Sequence, residues 1–267
     1  MKKLLPIILI GVVVLLAAVV FYVIKNNSKT PVGSEETAVE EENYVTVPVA
    51  ERPYITLTPR NDGHEISLRV SNFGSIPSLE YKLEYLAGEM ERGVGPSKIT
   101  LKGETSITRN LLLGSCSKNV CKYDENVTQG TITIILHGDK PQKYVLPFTI
   151  KKGSEVDGLI LGEKKAVLTG KLVPSVYYIM MSMAGLPAKF VTGEVLDNSI
   201  AIFSSSSTTF KGAIKIKSTQ IVTDTKIYGW NGTSSKWIEY SKVSEAGEGF
   251  LSVEIDRLTT FILVNPQ

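Results

Sequence analysis

The chain is 267 residues long, 43% hydrophobic and 21% charged, with 29 Lys plus Arg against 27 Asp plus Glu. That length suits one or two folded units with proper cores, and a net charge of +2 sets up no field for gathering nucleic acid. Two His and two Cys leave few metal ligands and few general bases, so neither a metal nor another cofactor is expected.

The first element is an apolar run, residues 4–24, without a single charged side chain. Its twenty-one residues would make about 31 Å of helix, close to the roughly 30 Å of a bilayer's hydrocarbon core. Pro6 falls in the first turn, where its missing N–H costs little, and Phe21 and Tyr22 would sit at the far interface. A cleaved signal peptide is the competing reading. The run is longer than the usual h-region of about 7–15 residues, and the Ala17-Ala18 pair has Leu16 where a small residue is needed. Residues 1–24 are therefore read as a single transmembrane anchor that takes the lipid bilayer as its partner. Lys2, Lys3 and the amino terminus outweigh Lys25 and Lys29, which places the N-terminus in the cytoplasm and the body outside it.

Residues 25–50 have no apolar periodicity and carry Glu35, Glu36, Glu40, Glu41 and Glu42. Such a composition cannot bury enough surface to order itself, so it reads as a disordered acidic linker spanning about 28 Å r.m.s..

From 51 to 152 the apolar residues alternate. Leu79, Tyr81, Leu83 and Tyr85 fall on one face of a strand, and Glu80, Lys82 and Glu84 on the other. Asn61-Asp62-Gly63 and Gly138-Asp139-Lys140-Pro141 supply turn chemistry between such runs. The segment 153–158, Gly-Ser-Glu-Val-Asp-Gly, reads as a joint. Alternation resumes beyond it at 166–173, 176–183, 189–195, 199–204, 212–217, 225–230, 236–241, 250–256 and 260–264. The run 176–183 is apolar on both faces and too short to span a bilayer, as expected for a central strand covered on both sides. The fold class is all-β, with two immunoglobulin-like β-sandwich domains at 51–152 and 160–267.

Within residues 225–265, Trp230-Asn231-Gly232 is followed by Trp237, by an alternating strand through Leu251, Val253 and Ile255, and by Leu258-Thr259-Thr260-Phe261. This stretch resembles the closing strands of β-sandwich modules at the ends of prokaryotic cell-surface proteins. There a W-[DN]-G turn, a second Trp and a corner usually reading Phe-Ser finish the module; Leu258-Thr259 departs from that corner. The resemblance implies a surface-exposed β module and brings no catalytic residues with it.

Three groups of side chains invite chemistry. Cys116 and Cys121 are spaced for a short bridge worth about 2 kcal/mol in chain entropy, with two free thiols as the alternative. A zinc site completed by His64 and His137 matches no recognised spacing. Both His lie beside turns and are read as solvent-facing, and no Gly-x-Ser-x-Gly elbow offers a nucleophile to activate. The carboxylate pairs Glu89/Glu91 and Asp124/Glu125 are read as solvated charges, or at most a weak calcium site. Tyr228, Trp230, Trp237 and Tyr240 cluster on a predicted hairpin. They either fill the sandwich by cross-strand packing or form an open platform for sugar rings. The expected function is therefore a non-catalytic scaffold, adhesion or display protein of the cell envelope, working with an envelope protein or a glycan. A carbohydrate- or cell-wall-binding module is the alternative, and an envelope hydrolase stands third.

Overall fold

The computed structural model describes residues 44–266 apart from Asn119, Asp197, Asn198, Ser207, Thr208, Lys242, Ala246 and Glu248. The anchor expected at 4–24 and the linker up to Asn43 lie outside the described residues, among which no helix is long and apolar enough to cross a membrane. What is described is all-β, save one 3-10 turn at Val49–Glu51.

The first half carries β1 (Tyr54–Pro59), β2 (Glu65–Ser71), β3 (Ser78–Ala87), β4 (Met90–Thr100) and β5 (Ser106–Leu112). A small hairpin follows, β6 (Gly114–Ser117) and β7 (Val120–Tyr123), then two long strands, β8 (Val127–His137) and β9 (Gln142–Lys152). The second half holds β10 (Gly158–Leu161), β11 (Ala166–Gly170), β12 (Tyr177–Ser182), β13 (Glu194–Val195), β14 (Ile200–Ser204) and β15 (Thr209–Lys217). It closes with β16 (Lys226–Asn231), β17 (Lys236–Tyr240), β18 (Ser244–Glu245), β19 (Phe250–Arg257) and β20 (Thr260–Asn265).

Three sheets pack together. A long antiparallel sheet runs β17-β16-β20-β14-β12-β9-β8-β3-β4, with β13 added beside β20. A three-stranded sheet, β1-β2-β5, and a five-stranded one, β10-β11-β15-β19-β18, cover parts of it. The alternation along β12 shows how. Ile179 and Met181 belong to the core that contains Ile55, Leu68, Leu83 and Phe148. Tyr178 and Met180 belong to the core that contains Leu168, Ile214, Val253 and Phe261. Successive side chains of a strand point to opposite faces, so the two smaller sheets lie on opposite faces of the long one. The strand is covered on both sides, as its two-faced apolar run predicts.

Polar residues occupy the positions that face solvent. In β3, Leu79, Leu83 and Tyr85 are buried while Glu80, Lys82 and Glu84 look outward. Burial of the inner row drives the pairing and the outer charges keep that face wet.

Two segments differ from their reading in sequence. The 153–159 joint is crossed by strand pairing, because β9 pairs with β12 from Lys152↔Tyr177 to Phe148↔Met181. Gly153 is there for close approach: a Cβ would stand 2.1 Å from the Val173 carbonyl oxygen, and its N–H donates to the Val176 carbonyl at 2.9 Å. Residues 189–195 form a strand only at Glu194–Val195. The rest, with the residues preceding it from Leu186, is an irregular cover whose Leu186 and Phe190 lie over Tyr228, Ile262 and Val264 on the outer face of β16 and β20.

The last residues assigned to the acidic linker are laid against this body. Val45 donates its N–H to the Pro141 carbonyl at 2.9 Å, Lys143 stands over the Tyr44 ring, and Val49 packs into the cluster beneath Phe190.

Candidate functional site

The hairpin β16–β17 brings most of the predicted aromatic residues to one face. Trp230 lies directly across from Trp237, and Tyr228 across from Glu239. The indole rings meet at 5.3 Å and 64°, edge against face. Phe190, from the irregular cover, meets Trp237 at 5.9 Å and Tyr228 at 4.8 Å, also edge-on. Trp237 donates its indole N–H to the Ala188 carbonyl at 3.3 Å, which ties the cover down. Tyr228 is buried, whereas Trp230 and Trp237 are half-buried.

Tyr240 does not join them. It sits across from Ile227 on the opposite face, 5.9 Å from the Phe261 ring. Gly229 makes room there, since a Cβ would meet the Tyr240 ring at 2.7 Å and the Phe261 ring at 3.2 Å. Burial first, and then the Asp256 carboxylate that accepts its hydroxyl at 3.1 Å, push the Tyr240 phenol up to about 12. On the aromatic face, Tyr228 donates to Glu239 at 2.8 Å and Lys226 pairs with the same carboxylate at 2.9 Å. Lys226 first, then the Tyr228 hydroxyl, hold Glu239 below its usual range, and burial chiefly raises Tyr228.

The corner residue Thr259 has a definite task. Its hydroxyl donates to the Trp230 carbonyl at 2.5 Å, just beyond the point where β16 and β20 stop pairing at Gly229↔Phe261. The turn itself covers Gly232–Ser235, and its left-handed residue is Ser235 at φ 51°. Asn231 accepts from the N–H groups of Thr233 at 3.1 Å and Ser234 at 3.2 Å, folding the tip.

Cys116 and Cys121 are bridged, directly opposite each other in the β6–β7 hairpin with Cα atoms 4.0 Å apart. The Tyr123 ring beside them stacks on His64 at 3.8 Å. Two of the polar readings change. His137 is half-buried beside Glu80, at 3.7 Å, and does not face open solvent. Asp124 accepts the Tyr85 hydroxyl at 2.7 Å and lies 3.7 Å from Arg92, so it is a structural carboxylate. Glu89 and Glu91 are exposed, and among the described residues no group of three His, Cys, Asp or Glu could hold a metal ion.

Sequence reasoning missed a groove of about 500 Å³ on the long sheet, lined by Glu84, Glu91, Arg92, Gln129, Phe148 and Thr149. Its floor depends on Gly130, which stands between Tyr85 and Phe148 in the register. A Cβ there would lie 2.1 Å from the Glu84 carbonyl oxygen and 2.7 Å from the Phe148 ring. The lone glycine in a largely β-branched strand was the available signal.

Together these features define an all-β body with a disulfide-closed hairpin and an edge-packed aromatic face beneath an open polar turn. No family model matches the chain, no curated protein matches it in sequence, and no solved structure matches its fold.

Proposed function

We propose that the chain is a membrane-anchored, extracytoplasmic β protein, a non-catalytic scaffold, adhesion or display element of the cell envelope. In this reading residues 4–24 hold it in the bilayer with the N-terminus cytoplasmic. The body is two immunoglobulin-like sandwiches that share one long sheet, and its partner is an envelope protein or a glycan. The observation that carries the reading is the Cys116–Cys121 bridge on an accessible hairpin. Bridges of this kind persist in oxidising spaces and are rare where thioredoxin and glutathione operate. The uncharged run at 4–24 supports the same placement, as does the likeness of residues 225–265 to cell-surface modules.

Protease added to intact cells should remove the body, and unreduced protein should yield no alkylatable thiol. Complete protection together with two free thiols would sink the reading. The carbohydrate-binding alternative rests on the exposed edges of Trp230 and Trp237. A flat sugar platform needs coplanar open rings, and these two cross at 64°.

A further inference from the structure

We infer that Asn231 is an N-glycosylation site, carrying a glycan on the tip of the β16–β17 hairpin. Asn231-Gly232-Thr233 fits the acceptor pattern Asn-x-Ser/Thr with x other than Pro. Patterns of this kind occur by chance, so the weight lies on how the structure presents them.

Asn231 is the last residue of β16, half-buried and paired with Lys236, and it leads directly into the exposed turn. The side-chain oxygen is occupied by the N–H groups of Thr233 and Ser234, which holds the carboxamide in one orientation. The amide nitrogen, the atom that must react, makes no hydrogen bond among the described residues. Gly232, Thr233, Ser234 and Ser235 are all exposed, and a Cβ at Gly232 would meet nothing nearer than the Trp230 indole nitrogen at 3.8 Å. The Thr233 hydroxyl, which an acceptor presents alongside the Asn, is likewise free of partners among the described residues.

The other described sequence of this type, Asn126-Val127-Thr128, is presented differently. Asn126 is exposed in a left-handed turn, but Val127 and Thr128 are already part of β8, with Val127 paired to Ala87 of β3. Each acceptor adjoins a strand; Asn231 differs in that its Gly232 and Thr233 lie in an exposed turn outside any strand, whereas Val127 and Thr128 are half-buried within β8.

The chemistry is a group transfer. The Asn231 amide nitrogen attacks the anomeric carbon of a glycan carried on a polyprenyl phosphate or diphosphate. The new N–C bond forms as the C–O bond to phosphate breaks, the lipid phosphate leaves as an anion, and a base of the transferase takes the amide proton.

The inference rests on export of the body, since lipid-linked glycans of this type are transferred outside the cytoplasm. The test is peptide mapping of full-length protein purified from its own membranes. The tryptic peptide 227–236 should carry a glycan mass. Thr233→Ala should abolish it without touching Asn231, and Thr233→Ser should retain it. Unmodified Asn231 in a body that surface protease removes, with its disulfide intact, would overturn the glycan and leave export standing. Unmodified Asn231 with a protease-protected body and free thiols would overturn both. A glycan at Asn126 alone would also overturn the inference.

Discussion

Strand β12 offers the sharpest perturbation, because neighbouring residues on it serve different cores. Ile179 and Met180 are both fully buried, the first in the core under β1 and β2, the second in the core under β11 and β15. Ile179→Ala removes three buried carbons, about 2.4 kcal/mol at roughly 0.8 per methylene. The cavity left behind raises the cost to about 3–4 kcal/mol, and Met180→Ala falls in the same range. For a body of this size each kcal/mol shifts the melting point by about 2–4 °C, so each variant should melt about 6–16 °C lower. The two side chains serve different cores but sit on adjacent residues of one strand, so the double variant should depart from the sum of the two single costs. Scanning calorimetry of the body beginning at Tyr44 should show one transition, moved as a whole by either change. The long sheet joins the halves through Lys152↔Tyr177 to Phe148↔Met181, and loosening β12 therefore reaches both. Two transitions, one moved only by Ile179→Ala and the other only by Met180→Ala, would refute this coupling.

Four further outcomes follow from the same geometry. Reducing Cys116–Cys121 releases a loop entropy of about 2 kcal/mol, confined to the separate β6–β7 sheet. Amide exchange should quicken at residues 114–123 while β8 and β9 keep their protection; equal loss everywhere would show that the bridge supports the whole body. Arg60 chiefly holds Asp62 down to about 2, so its contribution is complete above the ordinary value near 4 and is lost as pH falls from about 4 to about 2. Carboxyl NMR titration should find that low midpoint, and Arg60→Ala should return it toward 4. Burial raises the Tyr240 phenol to about 12, so its contribution is complete below pH 10 and fades between 10 and 12, to be read by ultraviolet titration against Tyr240→Phe. Trp237→Ala should cost about 3 kcal/mol and Trp230→Ala about 1 in denaturant unfolding, because only Trp237 has both a bonded indole N–H and Phe190 against its ring. Equal costs would contradict the packing described.

The strands were legible where one face is wet. In β3 the row Leu79, Tyr81, Leu83, Tyr85 against Glu80, Lys82, Glu84 fixes both the element and its buried side, because a one-residue slip would bury the charges. In β12 the apolar run announced a doubly covered strand, but alternation carries no label for which sheet lies on which face. That depends on pairings across more than a hundred residues, such as the Tyr54 hydroxyl against Thr260 at 3.0 Å. Gly153 and Phe190 misled for opposite reasons. Glycine serves flexible joints and tight approaches alike, and only the backbone behind it tells them apart. Leu186, Phe190 and Val195 pack over a sheet face at intervals of four and five residues, so they supply apolar contact, and only Glu194–Val195 adds backbone pairing. Tyr85 and Asp124 were unreadable as partners, being brought together by a β-bulge and the start of β8.

The aromatic hairpin turns on a question of parity. Asn231-Gly232 is a strong signal for a two-residue turn, and such a turn would set Trp230 against Thr233. The observed loop is longer, with its left-handed residue at Ser235. That moves the pairing to Trp230↔Trp237, and with it the whole of β17. Tyr240 then falls opposite Ile227, on the face of Gly229, whose missing side chain admits the ring. The choice between a packed and an open aromatic set was therefore never one choice for four residues. The odd spacing of Trp237 and Tyr240 puts them on opposite faces, and a two-residue or a four-residue loop alike sets Trp237 with Tyr228 and Trp230 and sends Tyr240 to the inner core. Phe190 and Ala188 then close that face as far as Trp237 and leave the edge of Trp230 beside the exposed Gly232–Ser235 turn.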